Sequence, residues 1–171
     1  MNKNIIKEII SWLLVILIAF VLAIIINKTL IYNVEPTSGS MENTLMIGEK
    51  IVTYRQAYLF SDPKREDIIV FRYPDNEEEI YIKRIIGLPG ESVEGINGLV
   101  YINGKPLEEP YVMAKLEEDF GPYVVPADSY FMMGDNRSIS FDSRSWVNKF
   151  VHKDKIFGKA IFKYPKFKIL T

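Results

Sequence analysis

The sequence predicts a mainly β domain standing behind one N-terminal transmembrane helix. One observation is an apolar run from Ile9 to Ile26, eighteen residues with no charge and with Ser11 as its only clearly polar member. That length crosses a hydrocarbon core as a helix. The other is the pattern from Lys50 onward, where short stretches rich in Ile, Val, Tyr and Phe alternate with turn signals. No amphipathic helix of ten residues or more follows the apolar run, so the rest of the chain is read as strands.

With 171 residues the chain suits one modest domain plus an appendage. A formal net charge of -1 argues against a nucleic-acid partner. There is no cysteine, which excludes thiol nucleophiles, disulfides and Cys-based zinc sites together. His152 is the single histidine, leaving little room for a histidine metal site or a triad. The chemistry open to the chain is that of hydroxyl, amine and carboxylate groups.

Taken in order, residues 1–8 form a short N-terminus, 9–26 the anchor, 27–36 a link too short to hold a domain, and 37–171 the outer domain. Lys3 and Lys7 precede the anchor and only Lys28 follows closely. By the positive-inside rule the N-terminus is cytoplasmic and the larger part extracytoplasmic. A cleaved signal peptide is the competing reading. The run is longer than a usual signal-peptide core and no A-x-A-like site follows it, which favours a retained anchor. The short link places Ser40 close to the outer leaflet. Lys50 to Arg55, Asp67 to Tyr73, Ile80 to Ile86, Tyr130 to Met133 and Ile156 to Tyr164 are expected strands. Asn97-Gly98 and Asn103-Gly104 are expected hairpin turns, and Leu88-Pro89-Gly90 another turn. Glu77-Glu78-Glu79 and Glu117-Glu118-Asp119 read as solvated loops.

Three stretches could carry chemistry. Ser38-Gly39-Ser40-Met41 taken alone is an ordinary turn sequence. A serine becomes a nucleophile only when a base takes its proton. With one histidine available, the alternative base is a lysine kept neutral, and a lysine normally titrating near 10.4 must be desolvated or set beside cations for that. Lys83 lies in an apolar strand, Glu79 to Ile86, and by alternation shares a face with Tyr81 and Ile85, while Arg84 shares one with Ile82 and Ile86. One of the two cations is expected in a dry place; a lysine snorkelling at a sheet edge is the alternative. The third stretch, Met133 to Arg144, interleaves two Asp with two Arg and suggests a self-satisfied polar network, which can be purely structural. It is not an EF-hand, because Ser140 and Trp146 stand where Gly and Glu are needed. Nor does it contain the Asp-Thr-Gly turn of aspartic proteases.

In this order, behind one anchor, these stretches resemble the type I signal peptidases, membrane-bound serine proteases that remove signal peptides from exported proteins. Ser38-Gly39-Ser40-Met41 with Thr44-Leu45 resembles the family's nucleophile box. Asp67 to Phe71 with Pro74 resembles its second box, Tyr81 to Glu91 the general-base box, and Gly134-Asp135-Asn136-Arg137 with Ser140, Asp142, Ser143 and Arg144 the last. The resemblance implies antiparallel sheets, with residues 37–171 as the catalytic domain. It implies Ser40 as nucleophile and Lys83 as general base, with the Ser38 hydroxyl and the Ser40 N-H forming the oxyanion hole. It further implies that Ser140 orients the lysine and that Asp135, Arg137, Asp142 and Arg144 support the site. No cofactor and no metal are implied. The implied partners are the cleavage regions of secretory preproteins and the lipid bilayer, with no nucleic acid. Small substrate residues at positions -1 and -3, bound as an extended strand, are implied as well.

Two departures stand out. Asn43 occupies a position where the family usually has Pro, removing a fixed φ just after the nucleophile. Ser145-Trp146-Val147 stands where many members have Trp-Gly after the Arg. Among rivals, self-cleaving repressor-type peptidases share a Ser-Lys dyad but carry a DNA-binding domain in place of the anchor. A membrane-anchored accessory protein with a decayed site is disfavoured by intact Ser40, Lys83 and last box. A histidine-based signal peptidase is disfavoured by Lys83 at the base position.

Overall fold

The computed structural model describes residues 3–112, 116–165 and 168–170. Helix α1 spans Lys3–Leu30 and contains the whole apolar run. Its apolar side chains from Ile9 to Ile26 stand exposed. The stretch Lys7–Leu30 measures about 36 Å at 1.5 Å per residue, longer than a hydrocarbon core of about 30 Å. By length and composition it can cross a membrane.

Among the described residues twelve strands follow: β1 (Ile31–Val34), β2 (Lys50–Tyr54), β3 (Ile68–Tyr73), β4 (Asn76–Gly87), β5 (Ser92–Ile96), β6 (Leu99–Ile102), β7 (Lys105–Pro106), β8 (Phe120–Val124), β9 (Ser129–Met133), β10 (Phe150–His152), β11 (Ile156–Tyr164) and β12 (Lys168–Ile169). All pairings are antiparallel. The larger sheet runs β1-β2-β11-β3-β4-β9-β10, with β12 on β11, and the smaller runs β7-β6-β5-β8. The fold is therefore mainly β with antiparallel sheets behind one N-terminal helix.

The turns form where the sequence signals them. Asn97 and Gly98 have φ of 53° and 84°, and Asn103 and Gly104 have 50° and 73°. Consecutive positive φ values are what tight hairpins require and what Asn-Gly supplies. At Leu88-Pro89-Gly90, Glu91 N donates to Leu88 O at 3.1 Å, and Gly90 takes φ 82°, as a type II turn demands.

Two expected boundaries move. The link is not a free linker, because α1 continues to Leu30 and Ile31 to Val34 pair residue by residue with β2. Glu77 to Glu79 lie in the exposed first part of β4 rather than in a loop. Strand β1 forms because it pairs with β2, whereas Glu77 to Glu79 lie in the irregularity between the Tyr73–Asn76 and Arg72–Ile80 pairs.

Three apolar clusters hold the domain. Ile69, Phe71, Ile85, Met132 and Trp146 lie in one, and Ile86, Val93, Phe131 and Met133 in a second, which joins the two sheets. The third contains Met41, Leu45, Ile51, Ile68, Ala160 and Leu170. Strand β4 feeds the first two through Ile85 and Ile86, so it is covered on both faces.

Candidate active site

The segment Gly39–Met41 makes one 3₁₀ turn. Met41 and Leu45, both wholly buried, anchor it in the third cluster. Leu45 N returns to Met41 O at 2.7 Å and Glu42 N to Gly39 O at 3.0 Å. Between these anchors Ser40 is buried, 5% exposed. Its carbonyl accepts from Asn136 N at 3.1 Å, joining the turn to the segment after β9. Lys163, buried on β11, donates to Thr44 O at 2.7 Å and secures the far side of the turn.

Lys83 projects from the middle of β4, paired with Ile69 on β3, while Arg84 pairs with Met133 on β9. An interior strand gives a lysine no edge at which to snorkel. Lys83 is 4% exposed, and Arg84 is equally buried, so both cations are dry rather than one. Lys83 Nζ stands 2.6 Å from Ser40 Oγ. Burial pulls the lysine down to about 8; Asp142 opposes the fall, Arg144 reinforces it and Asp135 opposes it weakly. At that value about half of the lysine is neutral at pH 8, against roughly 0.3% for an unperturbed side chain.

Arg84 faces the other way. Its Nε and Nη2 grip Asp135 at 2.8 and 2.6 Å, and Asp135 also accepts from the Thr44 hydroxyl. Asp142 has no exposed surface; it accepts from Gly134 N at 3.0 Å and from Arg144 Nε at 2.8 Å. Arg144 in turn donates to the carbonyls of Arg137 and Ser140. Arg137 Nε donates to Gly134 O, and its terminal nitrogens reach Glu109. The loop after β9 is thus only partly self-satisfied, since Asp135 and Arg137 find their partners outside it.

Ser38 is exposed on the rim, and its hydroxyl donates to Ser40 Oγ at 3.2 Å. Ser140 is buried, but its Oγ has no hydrogen-bond partner among the described residues. The hydroxyl lies against Gly134, so the contact with Lys83 that the resemblance implies is not made in this structure. A cleft of about 340 Å³ opens onto Ser40 and Lys83, its walls including Pro36, Tyr81, Ile82 and Phe141. No group of three or more His, Cys, Asp or Glu side chains among the described residues is arranged to hold a metal ion. His152 pairs with Asp154 on the surface, on β10 and outside the cleft lining.

A buried serine against a buried lysine with a depressed pKa, at the foot of an open cleft, is an arrangement suited to nucleophilic attack on a carbonyl. The family model for signal peptidase, peptidase S26, matches residues 9–165. The chain belongs to this family. It is 41% identical over 171 aligned residues to signal peptidase I of Bacillus amyloliquefaciens, covering 94% of this chain and 90% of that protein. To the probable signal peptidase I-2 of Synechocystis it is 41% identical, covering 78% of this chain and 64% of that one. The chain therefore spans slightly under two thirds of the Synechocystis relative. A crystal structure of a signal peptidase I from Enterococcus faecalis V583 matches with a TM-score of 0.51 and 37% identity, over 58% of this chain and 97% of that one.

This S26 family member keeps a buried tryptophan despite its altered Trp-Gly segment: Trp146 packs against Phe71, Tyr73 and Tyr81. Asn43, at the usual proline position, takes φ 83°, which a proline ring fixed near about -65° cannot reach. Sequence reasoning missed Glu109 and Tyr111, which touch Arg137 and Arg84 from the segment that follows β7. Neither lies in a box, and the only local signal was Pro110 between them.

Proposed function

We propose that the chain is a membrane-bound serine endopeptidase that cleaves N-terminal signal peptides from exported preproteins. Ser40 is the nucleophile and neutral Lys83 the general base. The reading is carried by the 2.6 Å approach of Lys83 Nζ to Ser40 Oγ in a buried site that holds the lysine near 8. Lys83 takes the hydroxyl proton as Ser40 Oγ attacks the scissile carbonyl. The oxyanion that forms is held by the Ser40 N-H and the Ser38 hydroxyl; one such donor contributes roughly 10²–10³ in rate. The lysinium returns its proton to the leaving amine, and neutral Lys83 then activates a water that hydrolyses the acyl-enzyme. Ser140, Asp135, Arg137, Asp142 and Arg144 act as supports. The Asp142–Arg144 pair supports both the backbone of the last box and the charge balance at Lys83.

The apolar helix anchors the chain with its N-terminus cytoplasmic, as Lys3 and Lys7 support. The catalytic domain, residues 37–171, then faces away from the cytoplasm and meets preproteins at the bilayer surface. Cleavage of a preprotein by the detergent-solubilised full-length protein tests the reading. Ser40→Ala and Lys83→Ala each abolish cleavage, and the wild-type rate rises with pH with a midpoint near 8. Cleavage that survives Lys83→Ala places the base elsewhere and refutes the assignment.

A further inference from the structure

Three groups around the site find their partners in one short segment that hangs from the smaller sheet. After β7, Leu107 N donates to Val100 O at 2.8 Å, and Val112 N donates to Glu109 O at 3.1 Å, closing a turn over Pro110. Proline inside the turn fixes one of its dihedrals, so the segment is stiff. From it, Tyr111 O accepts from Asn43 Nδ2 at 2.8 Å. The Tyr111 ring covers the Arg84 guanidinium, 3.9 Å from centroid to Cζ. The Glu109 carboxylate grips both terminal nitrogens of Arg137 and accepts from the Tyr111 hydroxyl at 3.1 Å.

These contacts close a ring. Asn43 and Thr44 are adjacent in the loop that carries Ser40. Asn43 leads to Tyr111, Tyr111 to Arg84, Arg84 to Asp135, and Asp135 accepts from Thr44. Arg84 is the immediate neighbour of Lys83 on β4. The ring thus ties the segment carrying Ser40 to the strand carrying Lys83 without touching either side chain. Asn43 suits its place on two counts: Asn tolerates a φ of 83° better than most residues, and its carboxamide supplies the donor.

We propose that the Glu109–Tyr111 turn is a positioning element for the Ser40–Lys83 pair, acting on the nucleophile through Asn43 and on the base strand through Arg84. This inference rests on the dyad reading given above. Misplacing reacting groups by about 1 Å costs on the order of a hundredfold in rate, so a tether that holds a fraction of that is felt in turnover. Asn43 takes no part in setting the lysine's titration, which burial, Asp142, Arg144 and Asp135 govern. Its loss therefore lowers kcat and leaves the pH midpoint in place.

The test uses the full-length protein in detergent, a preprotein substrate and the variants Ser40→Ala, Asn43→Gly, Asn43→Asp and Tyr111→Leu beside Tyr111→Phe. Asn43→Gly keeps access to positive φ and loses the donor; Asn43→Asp keeps the size and loses the donor. Both are expected to lower kcat about tenfold or more, with KM within about twofold and a melting temperature within a few degrees, and Asn43→Gly, which adds no charge, leaves the pH midpoint unmoved. Tyr111→Phe keeps the ring over Arg84 and is expected to retain more activity than Tyr111→Leu. Wild-type kcat in Asn43→Gly and Asn43→Asp overturns the proposal, as does a loss seen only in KM or only alongside a large fall in melting temperature. If the wild type does not cleave, or Ser40→Ala still does, the dyad reading falls and this inference with it. An intact dyad with fully active Asn43 variants removes the positioning role alone.

Discussion

Replacing Lys83 by methionine separates catalysis from stability, because the group expected to act as base is one the fold holds at a cost. The lysine titrates at about 8 in the folded chain and near 10.5 when unfolded, a gap equivalent to about 3 kcal/mol. The folded state binds fewer protons than the unfolded state between these values, so stability rises with pH there. Below pH 8 the full cost of burying the charged form is present; above about 10.5 it has gone. Methionine fills much of the same volume without a charge, and gives up one hydrogen bond to Ser40 worth about 1 kcal/mol. Lys83→Met is therefore expected to be inactive and more stable than wild type by roughly 2 kcal/mol at pH 7. At about 3 °C per kcal/mol this raises the melting temperature by roughly 6 °C. The gain shrinks to about zero by pH 10. Thermal melts of the full-length protein in detergent, followed by near-ultraviolet circular dichroism from pH 6 to 10, measure both quantities. A variant no more stable than wild type at pH 7, or a difference that does not change with pH, refutes the reasoning.

Two further substitutions probe the supports. A Cβ at Gly134 would press on Ser140 Oγ and on the carbonyl of Ser40, so Gly134→Ala is expected to lower kcat at least tenfold; unchanged turnover contradicts the packing described. Asp135→Ala leaves Arg84 buried without its carboxylate, and a loss of about 3–5 kcal/mol in denaturant unfolding is expected. A loss below about 1 kcal/mol shows that the pair contributes little.

What could be read in the sequence depended on how local the cause was. The Asn-Gly hairpins and the Leu88-Pro89-Gly90 turn were legible because their backbone angles are set by the residues themselves. The apolar character of β4 was legible from composition, and it placed one of Lys83 and Arg84 in a dry site without deciding which. That Arg84 is as buried as Lys83 was not, because its partner Asp135 lies fifty-one residues away and its cover, Tyr111, comes from the segment after β7. Strand β1 was hidden for a similar reason: Ile31-Tyr32-Asn33-Val34 is too short to declare itself, and its pairing with β2 decides the outcome. The loop after β9 was read as a network of its own charges, whereas two of its four charged side chains serve as ties to distant elements.

The passage from helix to sheet has a consequence of its own. Leu30 ends α1 and Ile31 begins β1 with no residue between them, and Leu30 O accepts from Arg55 N at 2.9 Å, just past the end of the neighbouring strand. With the helix spanning the bilayer, the cleft stands at a set height above the lipid, like a blade bolted to a table. On the proposed function, an anchor joined to the sheet in this way would do more than retain the domain at a surface: it would act as a gauge for which peptide bond of a membrane-held substrate stands level with Ser40.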